Sequence, residues 1–236
     1  MDKIAIFSEG QSDQIFIRHF LIHALGWEEI SFQCFRLYAD EMTSAKFDHR
    51  NDHAKIHFLI VNVGNDETVL SAVKERLDGL IQQGYKKIIA LRDMYSEAYC
   101  RRAGHRIDKK IIADFVRKLH ETLWNINQSN KIKIHFAIME LEAWLLGMFN
   151  LFERINKKLT IDYIEEKLNY NLKTIDPQKE FFKPSDIVDD ILRLVNKRYR
   201  KTEHDIESIC SRIENGNDFL NIFANGRCAS FKKFYD

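Results

Sequence analysis

The sequence contains neither G-x-x-x-x-G-K-[ST] nor G-x-G-x-x-G. A P-loop or dinucleotide-binding enzyme needs such a glycine-rich cradle to bring backbone N–H groups against phosphate, so the gap argues against both classes. H-E-x-x-H and G-x-S-x-G are missing as well, which leaves zinc peptidase and α/β-hydrolase readings without support. The four cysteines, Cys34, Cys100, Cys210 and Cys228, never reach a Cys-x-x-Cys spacing. With no cationic and apolar leader at the start, reduced thiols in a cytoplasm are the expectation. No run reaches the roughly 18 apolar residues that cross a bilayer, so no membrane contact is expected. Charge of one sign is also lacking, since 36 basic residues stand against 35 acidic ones for a formal net charge of +1. A balanced chain can still carry a local basic face, so this excludes neither nucleic acid nor protein partners.

What is present is a core-forming chain of 236 residues, 45% of them hydrophobic, enough for one domain or one domain with a helical addition. Ile4, Ala5, Ile6 and Phe7 form an apolar run suited to a strand buried on both faces. It delivers Glu9 and Gly10 into a helix start that Ser12 or Asp13 can cap, with Ile15, Phe16, Phe20, Leu21 and Leu25 at helical spacing. Residues 30–38 and 57–63 read as further strands, and Leu70, Val73, Leu77, Leu80 and Ile81 mark an amphipathic helix up to Gly84. Residues 88–95 then repeat the pattern and deliver Asp93 to a strand end. The alternating segment 131–138 reads as a strand near a sheet edge and leads into Glu140 and Glu142. The polar stretch 39–55 holds His49, His53, Asp48 and Asp52 at no common zinc spacing and reads as a solvated loop.

Repeated βα units imply an α/β fold, with a mostly parallel, Rossmann-like sheet and helices on both faces. Strand signals stop near residue 156. The expected division is therefore an α/β domain over residues 1–155 and a helical extension packed on it over 156–236, with helices at 161–170, 185–200 and 203–213.

In such sheets ligands bind beyond the carboxyl ends of the strands. Three strand ends here are acidic, carrying Glu9, Asp93, and Glu140 or Glu142. Clustered carboxylates repel, and a hard cation such as Mg2+ or Mn2+ relieves the repulsion through oxygen ligands. The expected geometry has Glu9, Asp93 and Glu142 converging at one sheet edge, with Glu140 pointing elsewhere. The loop after Asp93 contributes Arg101, Arg102 and Arg106 as candidate phosphate contacts, and a later basic run contributes Lys197, Arg198, Arg200 and Lys201. A basic helix end is also what the helix dipole favours, and the aromatic residues around Trp144 read as core.

The E-G-x-x-D pattern at Glu9, Gly10 and Asp13, with the apolar strand ending in Asp93, resembles the Toprim family of topoisomerases, primases and old-type nucleases. The likeness is nearest to small stand-alone Toprim-like proteins whose later strand leads into E-x-W-L-L, here Glu142, Ala143, Trp144, Leu145 and Leu146. It covers roughly residues 1–155 and the S-F-x-x-F tail at Ser230, Phe231 and Phe234. One departure is that Tyr95 replaces the second aspartate of D-x-D, so Glu97 or the Glu140/Glu142 pair would have to complete a metal site.

The resemblance implies a Toprim sheet and a metal-dependent endonuclease acting on DNA or tRNA, of the kind found in bacterial anti-phage defence beside an ABC-type ATPase. It makes Asp93 the main ligand of Mg2+ or Mn2+, Glu9 a ligand or general base, Glu142 a further ligand, and Asp13 either a helix cap or the holder of a metal-bound water. Glu140 belongs to the same candidate ligand set, and a homodimer is among the partners to consider. The rival expectation is a catalytically weak subunit that binds an ATPase or a phage protein. A nucleotidyl transferase or primase-like enzyme is a third reading.

Overall fold

The computed structural model describes residues 1–65 and 68–236, apart from the side chains of Asn215 and Asn225. The strands are β1 (Asp2–Ser8), β2 (Ile30–Tyr38), β3 (Glu41–Ser44), β4 (Ile56–Asn62), β5 (Tyr85–Asp93) and β6 (Ile132–Ala137). The helices in the first part of the chain are α1 (Gln11–Leu25), α2 (Val69–Gln82), α3 (Glu97–Ala103) and α4 (Lys109–Trp124). Then come α5 (Glu142–Gly147), α6 (Leu151–Ile155), α7 (Ile161–Leu168), α8 (Pro177–Glu180), α9 (Pro184–Arg193), α10 (Glu203–Cys210), α11 (Asn215–Phe223) and α12 (Ala229–Tyr235). None of the described helices is long and apolar enough to cross a membrane.

Two compact units divide the chain. One comprises Met1–Arg92 and Ile112–Phe136, and the other Asp93–Ile111 and Ala137–Asp236. Each is discontinuous in sequence, and residue 155 lies inside the second.

The first unit is built on a six-stranded sheet in the order β3-β2-β4-β1-β5-β6. β1 runs parallel to β4 and β5, and β2 parallel to β4, while the short β3 pairs antiparallel with β2. The α/β class with a mostly parallel sheet is therefore observed, and β6 is an edge strand. Ala5, Phe7, Leu59 and Val61 pack on one face against Val69, Val73, Leu77 and Leu80 of α2 and Leu123 of α4. Strand alternation turns Ile6, Phe58 and Ile60 to the other face, which α1 covers. Gln14 of α1, itself buried, donates from Nε2 to the carbonyl oxygens of Phe35 (2.9 Å) and Ile60 (3.0 Å), tying the helix to β2 and β4. The turn that ends α1 uses Gly26 at φ 92°, a conformation that costs a side-chain-bearing residue about 1 kcal/mol or more.

Residues 39–55 are not simply a solvated loop. They contain β3, and His49 is buried, with its ring 3.6 Å from that of Trp27 and its Nε2 3.0 Å from the Trp27 carbonyl oxygen. Asp48 accepts from the Cys34 N–H at 3.1 Å. The polar residues of the stretch are thus partly spent on holding it against β2, work that their composition alone could not announce.

In the second unit the apolar centre is Trp144 of α5, fully buried, with Phe231 (5.3 Å, edge-on) and Phe234 (5.4 Å, stacked) of α12 against it. Its indole N–H donates to Ser230 Oγ at 2.9 Å, and the Gln178 amide bonds the same hydroxyl. The S-F-x-x-F tail is therefore a latch on the tryptophan. Gly147 permits this closeness, since a Cβ there would stand 3.0 Å from Cys228 Sγ and 3.3 Å from Ile222. Arg227 is buried beside the latch and donates to the carbonyl oxygens of Leu172, Ile175, Asn221 and Ala224. The expected helix over 185–200 is shorter, because α9 ends at Arg193 and the following segment is irregular.

Phe231→Ala removes the ring shared by Trp144, Phe219 and Phe223. It should lower stability by about 3–5 kcal/mol in urea unfolding followed by tryptophan fluorescence. Leu220→Ala, at a side chain 57% exposed on α11, should stay within about 0.5 kcal/mol of wild type.

Candidate functional site

The second unit gathers acids from two strand ends. Asp93 closes β5, and its Oδ1 accepts from the Leu141 N–H at 3.0 Å. The chain beyond Asp93 continues beside the chain beyond β6, with Met94 N–H donating to Ala137 O (2.9 Å) and Tyr95 N–H to Met139 O (2.6 Å). Leu141, gripped by Asp93, separates Glu140 from Glu142, so all three acids come to one place. Both glutamates are buried, at 3% and 1% exposure. Glu140 was expected to point elsewhere. Met139 at φ 67° reverses the local direction just before it, and both glutamates face a common cation.

That cation is Lys201. Its ammonium lies 2.8 Å from Glu140 Oε1 and 3.2 Å from Glu142 Oε2. Ser185 completes the Glu140 cage, with its N–H 2.7 Å from Oε2 and its hydroxyl 3.1 Å from Oε1. Tyr199 donates its phenol proton to Glu142 Oε1 at 2.6 Å. Glu142 Oε2, by contrast, is buried without a hydrogen bond, because the nearby ammonium does not meet it in hydrogen-bond geometry.

Asp189 of α9 positions this cation. It accepts from Arg198 Nε (3.0 Å), Arg198 Nη2 (3.2 Å), Tyr199 N–H (2.8 Å) and Arg193 Nη2 (2.8 Å). Burial opposes its ionisation, but these donors outweigh burial and hold its carboxyl below the usual range. The segment so fixed alternates, with Arg198 and Arg200 exposed while Tyr199 is buried and the Lys201 ammonium turns inward. Lys201 has φ 56°, so left-handed backbone occurs on both sides of the centre, a form of strain of about 1–3 kcal/mol that clusters at functional sites.

The electrostatics follow from the burial. The Glu142 carboxyl is raised above its ordinary value, by burial first and by Glu140 as well, with Lys201 and Tyr199 opposing. Lys201 is raised in spite of desolvation, because the charges of Glu142, Glu140 and Asp93 favour its ammonium form. The Tyr199 phenol is raised well above normal by burial and then by Glu142.

The other expected site residues lie as follows. Glu9, half-buried, follows β1, whose Ser8 pairs with Leu91 of the parallel neighbour β5. Asp13 is buried in the first turn of α1, and its Oδ2 accepts from the Gly10 N–H at 2.9 Å, as a helix cap does. Both belong to the first unit. Arg101, Arg102 and Arg106 are exposed, Arg101 pairing with Glu97 (3.0 Å) and Arg106 with Asp108 (3.9 Å). Lys197 and Arg200 are exposed, and Arg198 is spent on Asp189. Tyr199, Ser185 and Asp189 were not anticipated, and Lys201 was expected only as a member of the basic run. The alternation through residues 198–201, a tyrosine between two arginines followed by lysine, is the signal that could have singled out two of them.

Among the described residues no group of three or more His, Cys, Asp or Glu side chains is disposed to hold a metal ion. Glu140 is committed to Ser185 and Lys201. Mg2+ nevertheless commonly binds through one or two carboxylates plus water and substrate phosphate. Asp93 and Glu142 Oε2, which takes no hydrogen bond and lies 3.2 Å from the Lys201 ammonium, are hard oxygen donors of the kind this habit uses.

The sequence profile of a family described as a domain of unknown function, DUF4276, matches residues 8–215. The chain belongs to that family. The DUF4276 match takes in every acidic strand end and the segment carrying Tyr199 and Lys201. No curated protein and no solved structure matches the chain.

Lys201→Met leaves two buried carboxylates without their cation. The lysine side chain is 38% exposed, so the loss should fall near 2–4 kcal/mol, below that of a fully buried pair. Between the ordinary and the raised carboxyl values the folded variant binds more protons than its unfolded chain. Its deficit against wild type should therefore be greatest above neutrality and shrink as pH falls through that window. Thermal unfolding from pH 5 to 8 measures this, with the exposed Arg200→Met as the control expected to stay flat.

Proposed function

We propose that this DUF4276 protein is a metal-dependent phosphodiesterase of the Toprim type acting on nucleic acid. The observation that carries the reading is the convergence of Asp93, Glu140 and Glu142 on Lys201 just beyond two strand ends. A hydrolytic site for phosphodiesters must attract a dianionic transition state, neutralise its charge and exclude bulk water. The carboxylates provide for a divalent cation, and the Lys201 ammonium supplies fixed positive charge.

In this reading Asp93 and Glu142 Oε2 hold Mg2+ or Mn2+, which when bound neutralises phosphate charge and lowers the pKa of a coordinated water. Tyr199 orients Glu142 by its hydrogen bond to Oε1, which leaves the buried Oε2 facing the Lys201 ammonium. Ser185 fixes Glu140, and Glu140 in turn holds the Lys201 ammonium where it can meet a phosphate oxygen. By the Toprim resemblance alone, Glu9 is a further candidate ligand or general base. The defence role beside an ABC-type ATPase belongs to the same proposal.

One observation favours a second reading, a non-catalytic subunit that binds a protein partner. Both Glu140 oxygens are occupied, and Tyr95 stands where D-x-D would place its second acid.

The deciding comparison is cleavage of single-stranded DNA, duplex DNA and tRNA in Mg2+ or Mn2+ by wild type, Asp93→Asn, Glu142→Gln and Glu9→Gln. Glu142→Gln keeps an acceptor for Tyr199 and should fold normally. Asp93→Asn and Glu142→Gln should each lose on the order of 10²-fold or more in rate. Equal cleavage by these variants would remove the assigned centre, and a wild type that cleaves none of the substrates would favour the binding subunit.

A further inference from the structure

Beside the acidic centre the same unit carries a group of aromatic rings that the proposed chemistry does not use. Phe182 is half-buried, and its ring stands 5.2 Å from that of Tyr95 at 61°, 6.0 Å from that of His105 at 69°, and 6.5 Å from that of Tyr99 at 27°. Tyr99 is fully buried and forms the floor. Its hydroxyl donates to the Arg106 carbonyl oxygen at 3.2 Å and accepts from the Asp108 N–H at 2.9 Å. Tyr95 is half-buried and His105 exposed, so Phe182 rests on a fixed ring with two partly open rings at its edges.

Two short segments join these rings to the carboxylates. The backbone N–H of Tyr95 bonds the carbonyl of Met139, the residue before Glu140. Phe182 precedes Ser185 by three residues, and Ser185 cages Glu140 from the other side.

The loop that carries His105 is cationic. Residues 96–110 contain Arg101, Arg102, Arg106, Lys109 and Lys110, all exposed, against Glu97 and Asp108. Two of the arginines form ion pairs with those acids at the surface, where such pairs contribute little and exchange readily with other anions. Aromatic faces framed by cations suit a polyanion whose flat apolar groups are accessible, which describes single-stranded nucleic acid. In a duplex the base faces are hidden by their neighbours. An aliphatic protein surface would gain nothing from the cationic loop.

We propose that Phe182, edged by Tyr95 and His105, is a stacking platform for an unpaired base of a single-stranded nucleic acid whose phosphates follow the cationic loop at residues 101–110. The assignment rests on the phosphodiesterase reading for its relation to the carboxylates and names the substrate class of that site. Phe182 is here a specificity-determining residue, since unpaired bases reach it and paired ones do not.

The test is binding without cleavage. The full chain in EDTA is titrated into a fluorescein-labelled 15-nucleotide single strand, in DNA and RNA forms, and into a 15-base-pair duplex. A strand containing 2-aminopurine reports stacking directly. Wild type should prefer the single strands and quench the 2-aminopurine. Phe182→Leu, which keeps apolar bulk, should bind single strands about ten-fold or more weakly and abolish quenching, with its duplex affinity unchanged. Tyr95→Leu should weaken the same binding by a smaller factor, and Trp124→Leu, at an exposed tryptophan of the other unit, should leave it unaltered. A thermal melt matching wild type establishes that Phe182→Leu folds. Wild type that fails to bind single strands, equal single-strand affinity for wild type and Phe182→Leu, or an equal loss on duplex would each overturn the platform. Because no divalent metal is present, loss of the phosphodiesterase reading shows only in the cleavage comparison and leaves this result standing.

Discussion

Two buried carboxylates sharing one lysine ammonium set the terms for the second unit. Removing each charge from water costs several kcal/mol, and attraction within the protein repays this only when the geometry is good and the remaining oxygens are hydrogen-bonded. Glu140 meets that condition fully through Ser185 and Lys201, whereas Glu142 meets it on one oxygen only, through Tyr199. Much of the surrounding architecture is explained by the need to bring Lys201 in. Asp189 collects Arg193, Arg198 and the Tyr199 backbone, and so fixes the irregular segment after α9 that carries the lysine inward. Left-handed backbone at Met139 and Lys201 persists because these contacts over-determine it.

The unequal treatment of the two glutamates separates structural from chemical capacity. An acid with every lone pair engaged is a scaffold. An acid with a buried, unbonded oxygen keeps capacity for a ligand, and it also carries the raised pKa that marks a poised group. This asymmetry makes Glu142 a better candidate for chemistry than Glu140, although both are nearly inaccessible and lie two residues apart. The nearby tryptophan has the opposite character. Trp144 follows Glu142 in the same short helix but is consumed by the core, with its ring packed on Phe231 and Phe234 and its indole N–H given to Ser230. The E-x-W-L-L and S-F-x-x-F motifs therefore have a packing explanation in this chain.

The division of labour between sequence and tertiary structure follows the range of the interactions. Apolar runs followed by glycine and amphipathic helices are local patterns, and they sufficed for the α/β class, the mostly parallel sheet and the edge position of β6. They also sufficed to put Asp93, Glu140 and Glu142 after strands, because strand ends are visible in hydrophobicity alone. The basic run at residues 197–201 was legible as charge. Its meaning was not, since Tyr199 reaches Glu142 across 57 residues and Lys201 reaches Glu140 across 61. The alternation at residues 198–201 marks which side chains turn inward, but nothing local in a segment without regular secondary structure names their partners. The same holds for His49, whose burial against Trp27 depends on a bridge to β2 rather than on the polar composition around it. The sequence by itself determined the elements, their class and the acidic character of the strand ends, because these depend on short-range pattern. Only the tertiary structure decided which charge neutralises those acids, which carboxylate oxygen takes no hydrogen bond and which aromatic rings lie beside them, because these depend on contacts between segments far apart in the chain.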